Sequence, residues 1–534
     1  MPPIRIENFG RPGALLRSGS RAPLLDIDQF SELRNVWQRH GALVKRGGAV
    51  IQGASLATAT VRWLAHAYNA DTSAALVVRM ALCGTVLRYK ITSGSWTDFA
   101  TGLTAGTYPI SATYKDQVWW CDGTNTPLKI SIANPPVDSS WGGLPSGINP
   151  QWVLLFKNRL YYGGDKSTPT IMYMSNPGLP ETTTTTDSYQ IPDDQRGFYP
   201  RIAVAMGEGV GLFAQDYKVY MTGTGPLSHR MYHFEKAAAA IYWRSVVATG
   251  DGRAIYMTEN GPYIWDGHST AEPLDPNGEQ NWGDIDFTTN EDTWAIRYGD
   301  YYILAYKSKG DVTTAATGTA FSRFSSVYAA ATRAIKVTGA DSNTARCFAY
   351  NMITKQWSQH DFPYACGAWE EALHGDTQDL WVGSATGSGA RAGEVYKWDQ
   401  AGTWRDDSVD YDCVIKTGAL GDSFLKNRIE RVKVKCRVSG LADAKMRVAV
   451  YQDGKVHEPP VWEDSVGLGR TDAQGGPATK YNPVQHREGP IVKIAKPKNP
   501  VYEAGFETQI EFRYSGNDSF EFDGYEAEVK AAGE

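Results

Sequence analysis

No run of about 18 apolar residues occurs in the sequence, so no helix is expected to span a membrane. Cysteine is scarce. Cys83, Cys121, Cys347, Cys366, Cys413 and Cys436 are the six in 534 residues, far apart and without CxxC or Cys/His spacing. Such spacing excludes a thiolate metal site and disfavours a disulfide framework, so reduced, buried thiols are expected. Basic excess is missing as well. The formal net charge is −6, whereas a protein that grips nucleic acid through phosphates is normally basic. A mildly acidic wall is compatible with DNA sliding past without sticking. The first residues, Met1-Pro-Pro-Ile-Arg-Ile-Glu-Asn-Phe, lack the apolar core of a secretory signal, so synthesis in a cytoplasm is expected.

Recognisable catalytic spacings are also missing. There is no Walker loop, GxSxG elbow, HExxH or EF-hand pattern. The glycines of Gly207-Glu-Gly-Val-Gly211 do not form a dinucleotide fingerprint and precede a strand. His229 and His233 are four apart, but on strand and loop texture with no third ligand nearby, so ordinary histidines are expected. Glycosidases typically cleave with two carboxylates. The candidates are Asp193-Asp194, Glu370-Glu371, Asp406-Asp407 and Asp284-Ile-Asp286, all in polar turns where acids are common. The sialidase Ser-x-Asp-x-Gly-x-x-Trp box is absent. No catalytic residue, cofactor or metal is expected, and the chain is not read as an enzyme.

What is present is strand and turn. Apolar residues make up 42%, aromatics 12%, and there are 54 glycines, the texture of β-strands joined by tight turns. The length calls for two or three domains. Residues 1–50 form a basic arm, with eight Arg or Lys against four Asp or Glu and a possible short helix over 28–40. Residues 51–404 repeat short aromatic or β-branched runs that end in Gly, Asp or Asn, as in Gln117-Val-Trp-Trp-Cys-Asp-Gly and Asn158-Arg-Leu-Tyr-Tyr-Gly-Gly. Tyr89 to Trp96 and Tyr350 to Trp357 share a Tyr and a Trp seven residues apart, and Trp398 to Trp404 is a shortened relative. Strand, turn and Trp suit the outer hairpin of a propeller blade, which needs a large residue against its neighbour. The ragged period suggests six or seven blades, with a β-sandwich array as the rival. Residues 178–190, with threonines 182–186, and residues 309–345 look like inserted loops or subunit contacts.

After Trp404 the strands lengthen. Val414–Thr417, Arg428–Val438, Lys445–Gln452, Ile491–Ile494, Gln509–Tyr514 and Ser519–Val529 predict a separate β-sandwich or barrel over 405–534. Between them, residues 453–490 are a long Gly/Pro-rich loop without a packed element, anchored by Val461, Trp462 and Tyr481. That loop is the candidate gate or distal contact. In the arm, Arg11, Leu15, Leu16, Leu24, Leu25, Lys45 and Arg46 are candidate docking residues, because its leucines cannot be buried by the arm alone. Alternatively, part of the arm supplies the strand that closes the last blade.

An ordered series of weak motifs resembles the tail nozzle proteins of short-tailed bacteriophages, the tail tubular protein B and head–tail stabilisation family. Leu43-Val-Lys-Arg-Gly47 is similar to that family's basic motif. So is Val153-Leu-Leu-Phe-Lys-Asn-Arg-Leu-Tyr-Tyr-Gly163, followed by Met172-Tyr-Met-Ser-Asn-Pro-Gly178. Gly207 to Gly223, Gly250 to Gly267, Asp292 to Ala305 and Ala349 to Trp357 continue it in order. The resemblance implies a homo-oligomer, a hexamer, that forms a tube continuing the portal and adaptor channel. It implies contact with the head-to-tail adaptor ring and with tail fibres or spikes, and double-stranded DNA passing without specific binding. The protein would then be a virion component of the tail, assembled in the host cytoplasm. A carbohydrate-binding or glycan-cleaving propeller is the alternative.

Overall fold

A computed structural model describes residues 4–7, 30–39, 42–69, 76–91, 94–183, 187–191, 200–214, 217–225, 227–235, 240, 242–276, 280, 282, 285–286, 293–307, 345–370, 379–389, 391–400, 403–406, 411–417, 427–438, 445–452, 462–467, 491–495, 508–514 and 519–531. These residues are almost entirely β-strand and turn. They build seven antiparallel four-stranded blades and a β-sandwich.

The blades follow the chain. Blade 1 is Val61–Asn69, Leu76–Cys83, Val86–Ile91 and Thr97–Ala100. Blades 2 to 5 span residues 110–140, 152–190, 202–235 and 247–273. Blade 6 is Trp294–Tyr298, Tyr301–Lys307, Ala345–Asn351 and Gln356–Asp361. Blade 7 takes Tyr364–Glu370, Asp379–Ser384 and Val395–Gln400 from late in the chain, and its outer strand, Gly48–Ile51, from the beginning. The inner strand of blade 7 packs beside that of blade 1, so the ring is closed.

Period-two alternation explains the inter-blade layers, because successive side chains on a strand point to opposite faces. Trp119 packs with Val153, Leu160 and Tyr162 of blade 3, whereas its neighbour Trp120 packs with Met80 and Leu82 of blade 1. Tyr161 and Tyr162 divide in the same way between blades 4 and 2. The Tyr of the Tyr/Trp repeat lies on the third strand of blades 1 and 6, and its Trp lies on the fourth strand of blade 6 and just before that of blade 1. Its shortened relative at Trp398 lies on the third strand of blade 7, where the fourth strand comes from residues 48–51 instead.

The carboxy-terminal strands fall within one residue or so of expectation, for example Cys413–Thr417, Asn427–Val438 and Thr508–Tyr514. They form a sandwich. One sheet continues blade 6 outward through Phe30–Arg34, Cys413–Thr417, Thr508–Tyr514, Lys445–Gln452 and Trp462–Gly467. The other runs Val36–Arg39, Ala42–Lys45, Phe520–Ala531, Asn427–Val438 and Ile491–Ala495, with Ile4–Glu7 also on Phe520–Ala531. Phe512 meets Phe522 and Tyr525 at ring-centroid distances of 5.0 and 5.3 Å, and Tyr514 stacks on Phe520 at 4.5 Å. This core is continuous with Tyr302, Leu304, Phe348 and Trp357 of blade 6, so propeller and sandwich share one apolar interior.

Three expectations are corrected. Residues 28–40 form no helix where they are described: Phe30–Arg34 and Val36–Arg39 are strands, separated by Asn35 at φ 58°. The spacing of Leu33, Val36 and Trp37 suits a helical stripe, but the left-handed Asn35 breaks it. Residues 178–190 are in part a blade strand, Ser188–Gln190, and Thr183 accepts a hydrogen bond from Tyr162 Oη at 2.7 Å. Residues 453–490 include the strand Trp462–Gly467, which pairs with Lys445–Val450 despite the surrounding Gly and Pro. The insertion at 309–345 lies outside the described residues except for its final position, Ala345, which opens the third strand of blade 6.

Candidate functional site: the junction that locks the amino-terminal segment

Strands between residues 30 and 51 stitch three sheets together, and the turns at Asn35 and at Arg46-Gly47 are polar or tightly packed and buried. Asn35 is fully buried, in a conformation that Asn tolerates better than most residues. Its Nδ2 donates to Asp361 Oδ2 at 2.7 Å and to the Asp412 carbonyl at 2.8 Å. Its Oδ1 accepts from Arg46 Nε at 3.1 Å and from the Asp361 amide at 3.0 Å. The amide side chain therefore uses its full capacity.

Arg46 is also fully buried. Its Nη1 and Nη2 form a fork on Asp406 at 2.8 and 2.5 Å, and Nη1 also donates to the Gly47 carbonyl at 3.0 Å. The guanidinium lies 3.9 Å from the centre of the Tyr411 ring, whose hydroxyl donates to the Arg46 carbonyl. Burial is the largest single influence and opposes the charge, but Asp406, Tyr411 and Tyr364 together outweigh it and hold the Arg46 pKa well above its ordinary value. Asp361 is likewise penalised by burial, yet Arg34 and the Asn35 hydrogen bond keep its carboxyl below the usual range.

Asp399 forms the second node. It accepts from Trp37 Nε1 at 3.0 Å, the Gly47 amide at 2.7 Å and Arg39 Nη2 at 2.7 Å. The chain crosses here so closely that side chains do not fit. A Cβ on Gly47 would come within 2.5 Å of the Asp399 carbonyl carbon, and one on Gly48 within 2.0 Å of the Arg405 carbonyl oxygen. Lys45 completes the cluster, donating to the Trp404 carbonyl at 3.1 Å and sitting 4.4 Å from the Tyr411 ring centre. The Lys-Arg-Gly-Gly run at 45–48 is thus two buried cations followed by two residues with no room for Cβ.

Lys45 and Arg46 are therefore corrected as docking residues. Their charges are enclosed by carboxylate, carbonyl and aromatic groups of the same chain and present no surface to a partner. The other docking candidates, Arg11, Leu15, Leu16, Leu24 and Leu25, lie outside the described residues, as do Val461 and Tyr481 of the gate candidate. Trp462 opens a sheet-edge strand. Of the carboxylates considered for glycoside cleavage, Asp406 belongs to the buried ion pair, Asp286 stands 3.9 Å from Lys307, and Glu370 ends the inner strand of blade 7. Asp193, Asp194, Asp284, Glu371 and Asp407 fall outside the described residues. His229 is buried, with Nδ1 3.2 Å from the Thr222 carbonyl and Nε2 3.4 Å from Met174 Sδ. All six cysteines are buried, and no disulfide joins any two of them.

Sequence reasoning missed Asn35, Asp399 and Tyr411. Apart from the Asn35–Arg46 hydrogen bond, the partners that fix them lie more than 300 positions away, and only the crowded Gly47-Gly48 pair gave a local signal of close backbone approach.

Among the described residues no helix is long and apolar enough to cross a membrane, and no three His, Cys, Asp or Glu side chains gather as metal ligands would. No protein-family model and no curated protein matches the sequence. Solved structures similar to it include the WD40 β-propeller domain of Doa1 at 10% identity, covering 67% of this chain and 98% of that one with a TM-score of 0.40. YCF48 bound to a D1 peptide matches at 9% identity over 67% of this chain and 96% of that one, with a TM-score of 0.36. The amino-terminal domain of Nup159 matches at 9% identity over 69% and 98%, with a TM-score of 0.38. The chain is a seven-bladed β-propeller, closed by its own amino-terminal segment and fused to a β-sandwich.

Proposed function

We propose that this protein is a structural virion component, the nozzle of a short-tailed bacteriophage tail. Copies of it form a tube that continues the portal and adaptor channel, retains packaged DNA and lets it pass during ejection. The observation that carries the reading is the single interior shared by blade 6 and the sandwich. It ties propeller and sandwich into one stiff body, as a subunit that holds back pressurised DNA requires. The ordered motifs from Leu43 to Trp357 point the same way, and the net charge of −6 suits a wall that duplex DNA passes without adhering. Partners are further copies of the chain, six in a closed ring, with the adaptor ring above and tail fibres or spikes at the flank. The site of action is the virion tail, assembled in the host cytoplasm, and no chemistry is performed.

Mass photometry and negative-stain imaging of intact tails test this reading. Six copies around an open channel are expected. A protein that is monomeric in assembled particles, or one that in purified form cleaves or binds host glycans, would replace the nozzle with a sugar-directed propeller.

A further inference from the structure

Antiparallel strand order puts the first-to-second and the third-to-fourth connections of every blade on one face of the propeller. Val137, Leu179, Leu227 and Ile353 are exposed, and all four stand in third-to-fourth connections, those of blades 2, 3, 4 and 6. Single exposed aliphatic residues are ordinary on a surface. The first three, however, occupy consecutive blades at 62%, 56% and 104% exposure, and the blades that carry them are tied together at this face. Lys115 of blade 2 donates to the Gly178 carbonyl and Lys129 meets Glu181 at 2.7 Å, both in the connection that carries Leu179. Arg159 Nη1 donates to the Ser175 carbonyl at the start of that connection at 3.2 Å. Its Nη2 lies 3.4 Å from where a Cβ on Gly225 would stand, two residues before Leu227. Ser228 Oγ accepts from the Thr224 and Gly225 amides at 3.0 and 3.1 Å, which closes the turn that carries Leu227.

This arc is stiffened at a backbone cost. Lys115, Asp116, Lys157 and Asn158 hold φ between 45° and 62° in the first-to-second turns of blades 2 and 3, a region that lysine rarely adopts. Each lysine staples the next blade. Lys115 reaches Gly178 of blade 3, and Lys157 reaches the Glu208 carbonyl at 3.1 Å and its carboxylate at 2.9 Å on blade 4. These cations find their partners within the arc, so the arc suits an occupant that brings apolar contact rather than counter-charge.

Residues 308–344 supply one. They leave blade 6 after Lys307 and return at Ala345, a second-to-third connection, which lies on the face opposite the arc. Phe321, Phe324, Val327 and Tyr328 fall close together in this segment, and four Lys or Arg against two Asp make it basic in a chain of net charge −6. A loop of this length can reach out by about 60 Å and return. The arc of its own propeller is behind it and across the ring, on blades 2–4. The arc of a second copy, set face to opposite face, is directly in its path.

We propose that the stretch 321–328 of one copy seats on the arc of Val137, Leu179 and Leu227 of the next, in a head-to-tail contact. The inference rests on the assembly of copies proposed above, and contacts of this heterologous kind are those from which closed rings are made.

Sedimentation velocity of the full-length protein and its variants, up to about 100 µM, is the test, joined to photo-crosslinking from p-benzoylphenylalanine in place of Phe324. Concentration-dependent self-association is expected. Leu227→Asp should weaken it at least tenfold, with thermal unfolding of the dilute protein unchanged because the side chain is fully exposed. Leu179→Asp is the second surface variant, and Phe324→Asp should weaken association from the other side of the contact. Crosslinks should join two copies and map to residues 134–137, 176–181 or 224–228. Crosslinks confined to a single copy, or association untouched by both surface substitutions, would overturn the seat. A wild type that stays monomeric at about 100 µM would overturn it too. Six copies in intact tails would then still support the nozzle, whereas monomers there as well would remove both.

Discussion

Replacing Asp406 with Ala should be among the most damaging single changes to this protein. The substitution leaves Arg46 fully buried with its charge intact and its two carboxylate contacts gone, beside the Asn35 and Gly47 oxygens and the Tyr411 and Trp398 rings. Removing one partner of a buried ion pair typically costs about 3–5 kcal/mol, because the remaining ion keeps its desolvation penalty. The Ala49 amide, which donates to Asp406 Oδ1 at 3.0 Å, also loses its acceptor, and it lies in the strand that closes blade 7. Arg46→Met should cost less, about 2–3 kcal/mol, since it removes the more deeply buried charge while Asp406 retains the Ala49 amide and a partly exposed side chain. In the double variant the two losses should not add; a coupling of at least about 1.5 kcal/mol is expected. Urea unfolding followed by tryptophan fluorescence measures the cycle, with Trp398 as a nearby reporter, its ring centre 5.5 Å from the Arg46 guanidinium. A loss under about 1 kcal/mol for Asp406→Ala, or strict additivity in the double variant, would refute the lock.

Gly48→Ala should open the ring or prevent folding, because the new methyl would sit 2.0 Å from the Arg405 carbonyl oxygen. Far-UV circular dichroism and susceptibility to proteolysis report it, and a stable, protease-resistant variant would show that the crossing can relax. Stability should fall as pH drops below about 6.5, where the unfolded chain's histidines protonate. Burial, with Arg79 and Lys397 nearby, lowers the His66 pKa to about 3, and burial, with Arg46 and Arg39, holds His360 well below its ordinary value. Both groups have depressed folded-state values, so their full contribution is present above pH 6.5 and declines toward acid, by up to about 2 kcal/mol each at pH 5. His66→Phe should shrink the difference in urea midpoint between about pH 7 and pH 5; an unchanged difference counts against a neutral His66 imidazole.

Much of the fold was legible because it is local. Gln117–Cys121 and Arg159–Gly163 announce strands by aromatic alternation, and the turns after them by Gly and Asp. The long carboxy-terminal strands were equally plain. The junction was not, because charge patterning treats Lys45 and Arg46 as solvated unless a partner is visible, and their partners Trp404, Asp406 and Tyr411 come some 360 residues later. Nor did the apolar spacing of Leu33, Val36 and Trp37 decide between helix and strand; Asn35 decided it through tertiary hydrogen bonds that a local window does not contain.

The strand that completes blade 7 has a consequence in time. Residues 48–51 leave the ribosome long before Val395–Gln400, the strand they pair with. At about 5–20 residues per second, that interval is roughly 20–70 s. Throughout it, the nascent chain carries an unpaired strand edge, and Arg46 lacks its counter-ion. Six blades can stack as they emerge, but the circle stays open until residue 400 has been made. A chain interrupted before that point keeps a sticky edge and an unneutralised arginine, marks by which a chaperone or protease can tell it from a finished propeller. Closing the propeller with its first strand rather than its last thus makes ring closure a report that synthesis has passed residue 400.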